Sequence, residues 1–414
     1  MLSAALMNAA LCWMLFGWTN RRWAVLMSLY PVLFFTASQY WMDSYWGGAV
    51  PALGAALVLG AYPRLLRGAR AGTAAWFALG LSLLFLTRPY EGGALAGTVI
   101  LLLAWQRRKL AAVLLRWQIV FPLLILFAAA LFQLSLDRSV TGSIFELPYA
   151  LHVRTYEIPP LLWVIPGGQP PHPRAVPAVF TKNYAEYLDY RHIRDALPRS
   201  FLLACERPAQ LIFFLCYPVL LLPFLLAPLR KDRLLRALAV GALACYISLI
   251  FETWSFVHYA APLFVVTLAF IGRALWKTSL RQSPKPRRAL AVAAAALLIL
   301  APLARQGFKL QRELTGHGSA LKFAVDRAAL EKSLLASGQP QLVFVRYLPD
   351  HNTDSEWVYN KADIDNSLLI WARDLGPEQN NRVIAYYGQS RRYWLLEADE
   401  PVPQLKDYNS GQPR

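Results

Sequence analysis

Residues 86–93 read Leu86-Thr87-Arg88-Pro89-Tyr90-Glu91-Gly92-Gly93 and join two apolar runs, Ala75–Leu86 and Ala94–Trp105. Each run is long enough to form most of a membrane-spanning helix. Arg88 and Glu91 therefore fall at a bilayer edge, where an ionisable side chain is costly unless it is paired or lines a wet cavity. Pro89 stops the incoming helix, and Gly92-Gly93 lets the next begin with no side chain in the way. Two readings follow: a membrane-edge turn closed by an Arg–Glu pair beside an interfacial Tyr90, or one wall of a site open to that face.

Working outward from this turn, apolar spans fall at about 2–18, 23–41, 46–62, 73–87, 92–106, 117–136, 209–228, 234–252, 255–276 and 289–304, several of them shorter than the ~20 residues of a full span. The expected fold is thus mainly α, a polytopic membrane helix bundle of about ten spans over residues 1–304, followed by a small α/β domain at 305–414. Composition agrees. The hydrophobic fraction is 56% and the mean hydropathy +0.34, too high for an ordinary soluble chain of 414 residues, and 14 Trp with 19 Tyr suit two membrane–water interfaces.

The net charge of +17 would suggest nucleic acid if it were spread over a folded surface, but its location argues otherwise. Residues 305–414 carry 14 basic and 14 acidic side chains, so the whole excess, 28 against 11, lies in the first 304 residues. There it alternates. Arg21/Arg22, then Arg64/Arg67/Arg70, then Arg107/Arg108/Lys109/Arg116, then Arg230/Lys231/Arg233/Arg236, then Arg273 through Arg288 occupy every second connection. The connections between them, Met42–Tyr45, Arg88–Glu91 and Glu252–Ser255, hold one basic residue, Arg88. Positive loops stay on the cytoplasmic side, so the excess reads as topology and no nucleic-acid partner is expected.

Sidedness sorts the polar residues. The outer face receives Asp43, the Arg88–Glu91 turn, the long segment Asp137–Pro208, the Glu252–His258 stretch and everything after Ala304, while the inner loops carry basic residues and a lone Asp232. The long segment is broken by Pro159-Pro160, Pro166-Gly167-Gly168 and Pro170-Pro171-His172-Pro173. Its end, Phe180–Leu197, places Tyr184, Tyr187, Tyr190, Ile193 and Leu197 at helical spacing, which predicts an amphipathic helix along the interface and a lid over a site. The tail predicts a helix over Leu321–Leu335, strands at Gln341–Tyr347, Leu368–Arg373 and Tyr393–Glu397, and a helix over Glu378–Tyr387, a parallel α/β unit. Its polar loop Pro349–Ser367 carries Asp350, His351, Asp354, Glu356, Asp363 and Asp365, read as turn and capping residues rather than a metal site. Cys12, Cys205, Cys216 and Cys245 have no metal spacing and read as free thiols.

The candidates for chemistry gather on the outer face. Asp43 sits in Tyr40-Trp41-Met42-Asp43-Ser44-Tyr45-Trp46, a carboxylate ringed by aromatics. That suits a sugar ring, and equally an aromatic belt with a helix N-cap. His258, placed four residues into a helix, reads as a general base, a metal ligand or a satisfied interfacial residue. The catalytic candidates are Asp43, Glu91 and His258. The substrate-binding candidates are Tyr45, Trp46, Arg88, Tyr90, Glu252 and Tyr259, and no metal-ligand set stands out. Neither G-x-G-x-x-G nor G-x-x-x-x-G-K-[ST] is present, which fits a donor that is not a nucleotide.

The runs SYWGGAVPALGAALVLGA (44–61), TRPYEGG (87–93), VHYAAP (257–262), EWVYNKADID (356–365) and IWARD (370–374) resemble a bacterial family of polytopic GT-C glycosyltransferases. This is the group of mannosyl- and aminoarabinose-transferases with RgtA/B/C/D-like domains. The resemblance implies an inverting transfer of a sugar from a polyprenyl-phosphate donor to a lipid, glycan or protein acceptor. It also implies a multi-pass protein of the bacterial inner (cytoplasmic) membrane with a periplasmic C-terminal domain. Some members use a divalent metal and others none, so the cofactor stays open.

The chain departs from that pattern at its start. Met1–Trp18 is apolar at once, with no charged n-region and no A-x-A site, unlike a signal peptide. No acidic pair precedes Asp43, where the group keeps its base. We therefore expect an upstream helix and acidic loop, with Asp43 at the second acidic position and Arg88 on the donor phosphate, and a 414-residue chain that binds donor without turning it over. The competing classes are a transporter or lipid flippase, which predicts an internal hydropathy repeat that is not seen, and a non-catalytic membrane scaffold recruiting partners through the tail.

Overall fold

The computed structural model describes residues 2–35, 41, 47–68, 70–105, 119–156, 159–165, 177–196, 201–216, 231–280, 285–314, 319–348, 351 and 355–408. The chain divides into two compact units, Met1–Arg305 and Gln306–Arg414.

The first unit is helical: α1 (Leu2–Trp18), α2 (Arg21–Phe34), α3 (Ala49–Arg67), α4 (Ala71–Thr87), α5 (Pro89–Trp105), α6 (Val120–Thr141), α7 (Pro148–Tyr156), α8 (Pro177–Ala196), α9 (Phe201–Leu215), α10 (Arg233–Ile250), α11 (Ala261–Ser279) and α12 (Lys285–Leu314), within which the division between the units falls. Among the described residues five helices are long and apolar enough to cross a membrane: α3, α6, α10, α11 and the Ala291–Phe308 part of α12. The apolar α1 and α4 fall a little short, at 17 residues each. Of the sequence-derived spans, the one at 209–228 lies largely outside the described residues.

Burial ranks these helices. Ala261 to Leu275 of α11 are buried without a break, the mark of a helix apolar on every side and surrounded by others. Of α6, by contrast, only Pro122 and Asp137 are buried, so a continuous apolar surface faces outward, as lipid contact requires. α3 and α4 cross closely: a Cβ on Gly80 would lie 2.7 Å from the Gly54 carbonyl oxygen, and glycine alone permits that approach.

At one end of the bundle a buried ion pair ties three helices together. Asp232 caps α10 by accepting from the N–H groups of Leu234 and Leu235 at 3.0 and 3.1 Å. It also accepts from Arg273 Nε (3.0 Å) and a terminal guanidinium nitrogen (2.8 Å), while Lys277 stands 3.5 Å away. Arg273 in turn donates to the Trp18 carbonyl at 2.6 Å, so the last turn of α1 and the C-terminal half of α11 meet the start of α10. The lone acid of the basic connections thus has a structural reason to be there. Nearby on the chain, Arg64 donates to Trp13 O (2.7 Å) and lies over the Trp13 ring, and Arg67 donates to Gly17 O (3.1 Å).

Several sequence expectations shift. Pro89 is the first residue of α5 rather than only a stop, the position where its missing N–H costs nothing. Gly92 is the glycine that matters, since a Cβ there would sit 2.8 Å from Leu84 Cβ, whereas Gly93 faces open space. α11 begins at Ala261, with Pro262 in its first turn, so His258 lies in the non-helical turn before it. The last span does not end at 304; α12 carries Pro302 inside and continues to Leu314. All four cysteines are free, two buried and two partly exposed.

The second unit holds α13 (Ser319–Leu335), β1 (Gln341–Arg346), β2 (Leu369–Arg373), α14 (Pro377–Tyr387), β3 (Arg392–Glu397) and β4 (Gln404–Asp407). The sheet order is β2-β1-β3-β4, with β1 parallel to both β2 and β3, and β4 antiparallel to β3. The sheet is therefore mixed, where the sequence predicted a parallel one. Strand β1 is buried on both faces: Val343 and Val345 pack with Leu334, Trp357 and Trp371, while Leu342 and Phe344 pack with Ile370, Tyr393 and Tyr408. Asn360 completes the edge of β2, donating to Trp371 O and accepting from Trp371 N, both at 2.8 Å, as a neighbouring strand would.

Candidate functional site

Four separated stretches meet at the end of the bundle formed by the α4–α5 and α10–α11 turns. Arg88 closes α4, and its guanidinium is 3.5 Å from the Glu91 carboxyl one turn into α5. It also lies over the Tyr259 ring at 4.2 Å, a cation–π contact that bridges the two turns. Tyr90 donates its hydroxyl to the Ser248 carbonyl in the last turn of α10 at 3.0 Å. Glu91 and Glu252 are 3% and 1% exposed and lie within electrostatic reach of each other.

The long segment between α6 and α10 holds the second turn in place. Leu162 bridges Glu252 as two strands would, Thr253 N donates to Leu161 O (2.7 Å) and Thr253 Oγ1 to Pro160 O (2.7 Å). Trp163 donates through its indole to Ile250 O (2.8 Å). From α9, Arg207 forks onto two successive carbonyls, Glu252 O at 3.1 Å and Thr253 O at 2.5 Å. A turn with no helical or sheet ladder of its own must satisfy its carbonyls elsewhere, and this segment does so.

Electrostatics follow from that burial. Burial first, and the Glu91 charge second, push the Glu252 carboxyl up to about 10, against the pull of Arg88 and Arg207. His258 is stacked on Phe256 (5.6 Å, 8°) and edge-on to Tyr259 (4.7 Å). Burial and then the Arg88 charge lower its imidazole to about 3, so the ring is neutral at neutral pH. Burial raises the Tyr259 phenol to about 12.

Of the nine candidates, the structure brings together Arg88, Tyr90, Glu91, Glu252, His258 and Tyr259. Asp43, Tyr45 and Trp46 lie outside the described residues. Their neighbour Trp41 is core rather than exposed belt, stacked on Phe35 at 4.5 Å with its ring against Gly48. The residue missed by sequence reading is Arg207, a cation just ahead of an apolar run, which the charge pattern alone would have flagged. The helix expected over Phe180–Leu197 forms as α8, with Tyr184 exposed and Tyr190 buried, the Tyr190 hydroxyl donating to Ile165 O at 2.8 Å.

The polar loop of the second unit serves structure. Asp363 anchors the Asn366 and Ser367 turn, and Asp365 accepts from the hydroxyls of Tyr386 (3.2 Å) and Tyr387 (2.6 Å). Glu356 pairs with Tyr347 and Arg373, and His351 Nδ1 faces Asp399 at 2.6 Å. Asp350 and Asp354 lie outside the described residues. Among the described residues no three His, Cys, Asp or Glu side chains gather as a metal site would require.

The fold and site define a mainly helical protein with membrane-length apolar helices, a small mixed sheet and a buried carboxyl–arginine cluster at one bundle end. No protein-family model, curated protein or solved structure matches the chain.

Proposed function

We propose that this chain is a membrane glycosyltransferase of the GT-C type, moving a sugar from a polyprenyl-phosphate donor to a cell-envelope acceptor at the outer face of a bacterial inner membrane. The observation that carries the reading is the convergence of Arg88, Glu91, Glu252, His258 and Tyr259 from separate turns onto one bundle end. In the full topology of ten spans, that end faces the periplasm and the second unit lies on the same side, in keeping with the alternating basic connections.

An inverting transfer forms a bond from the acceptor hydroxyl oxygen to the anomeric carbon while the bond from that carbon to the lipid-phosphate oxygen breaks. The bonding pair leaves on the phosphate, where Arg88 stabilises the growing charge, and the hydroxyl proton passes to a carboxylate, Glu91 or Asp43. The aromatic faces of Tyr45 and Trp46 suit the sugar ring, while Tyr259 holds Arg88 in place.

The test is direct. The full chain in lipid, given polyprenyl-phosphate sugars, is expected to bind them and to lose that binding in Arg88→Ala by more than any drop in thermal stability. Unchanged donor binding in both Arg88→Ala and Glu91→Gln leaves only a structural turn. Reporter fusions at Arg70 and Gln412 are expected on opposite sides of the membrane, and the same side for both overturns the topology.

A further inference from the structure

Glu91 and Glu252 are the two buried carboxyls of the cluster, and an ionised Glu252 would have no hydrogen bond to its charge. Each is buried, at 3% and 1% exposure, and neither carboxyl oxygen of Glu252 meets a hydrogen-bond donor among the described residues. The cations nearby are committed: Arg88 divides itself between Glu91 at 3.5 Å and the Tyr259 ring, and Arg207 directs its terminal nitrogens to the Glu252 and Thr253 carbonyls.

Among the described residues, the other titratable groups facing the pair bring no further positive charge. These are Tyr90 and Tyr259, Cys245 on α10, and His258, which is held neutral. Arg88 and Arg207 match the two carboxylates in number, but neither donates to the Glu252 carboxyl, and a buried carboxylate without a hydrogen bond takes up a proton instead. A proton on one of them turns two opposed acceptors into a donor and an acceptor, and removes the orphaned oxygens at the same time.

We infer that Glu91 and Glu252 hold one proton between them, with Glu252 as the positioning residue that donates to and orients the Glu91 carboxylate, and Arg207 as the clamp that keeps Glu252 opposite it. The use of that oriented carboxylate as a base rests on the transfer reaction proposed above; the shared proton does not. Glu252 carries the proton because no donor reaches its carboxyl oxygens among the described residues, while Glu91 keeps its contact with Arg88.

Infrared spectroscopy of the full chain in lipid nanodiscs reads the proton without any assay of activity. The expected result is a protonated-carboxyl carbonyl band at neutral pH that moves on 13C-glutamate labelling of the unaltered chain. It is lost in Glu252→Gln, where Glu91 keeps Arg88, and it persists but shifts in frequency in Glu91→Gln, since Glu252 stays buried while the acceptor of its proton becomes an amide. A labelled wild-type chain with no such band overturns the inference, and no variant need fold for that outcome to count. A band unshifted in Glu91→Gln overturns it too, because the Glu252 proton then makes no bond to Glu91. Where sugar transfer is measurable, Glu252→Gln retains a donor for Glu91 and is expected to keep more activity than Glu252→Ala. A shared proton with no binding of polyprenyl-phosphate sugar refutes the functional proposal and leaves the pair standing.

Discussion

Breaking the Asp232–Arg273 pair is expected to reveal an asymmetry that the geometry fixes in advance. Asp232 has two jobs, capping α10 through Leu234 and Leu235 and neutralising Arg273, and both partners of the pair are less than 10% exposed. Removing one partner of a buried ion pair costs ~3–5 kcal/mol, and losing a cap ~1 kcal/mol. Asp232→Ala is therefore expected to cost ~4–6 kcal/mol, and Asp232→Asn ~1 kcal/mol less because the amide oxygen still accepts from the helix N-terminus. Arg273→Leu should cost less than either. Its loss leaves Asp232 with the two cap bonds and with Lys277 at 3.5 Å as a substitute cation. The double variant should cost less than the sum of the singles, by ~1–3 kcal/mol of coupling. Denaturant unfolding of the purified chain in detergent measures all four corners of this cycle. If Asp232→Asn lies within ~1 kcal/mol of wild type, a value far below a broken buried pair, or if Arg273→Leu is the costlier single change, the reasoning fails.

Gly80→Leu is expected to destabilise by ~1–3 kcal/mol or more, since even a Cβ at Gly80 meets the Gly54 carbonyl at 2.7 Å and Val58 Cγ2 at 2.9 Å; a thermal melt equal to wild type would mean α3 and α4 do not cross there. In the second unit, Asn360→Ala strips both backbone groups of Trp371 of a partner and should cost ~1–3 kcal/mol, seen as faster hydrogen exchange at the Trp371 amide. Asp374 is buried, which alone would raise its carboxyl, but bonds from Asn380, Arg346 and the Gly376 N–H win and hold it below its ordinary value. Its contribution is therefore complete above the ordinary carboxylate pKa of about 4 and is lost as pH falls through the lower folded value; acid melts of Asp374→Asn should lack that loss.

Some of this was present in local sequence and some was not. The helices, the Arg88–Glu91 turn and the strands of the second unit follow from apolar runs, prolines and alternation, signals that need only a few neighbouring residues. Strand β4 escaped because Gln404–Asp407 is short, polar and at a sheet edge, where burial imposes no pattern. His258 was assigned to a helix because hydropathy runs on past it, whereas Pro262 sets where the helix begins.

Sequence alone determined which charged residues sit at or near helix ends, because charge and hydropathy are properties of each residue. The partnerships were decided by tertiary structure: Arg88 over Tyr259, Arg207 on the carbonyls of Glu252, Asp232 against Arg273, and Glu91 facing Glu252. These join positions far apart in the chain, and their energies come from the loss of water around paired groups. That loss exists only once the helices have packed, so no local pattern of residue types encodes it.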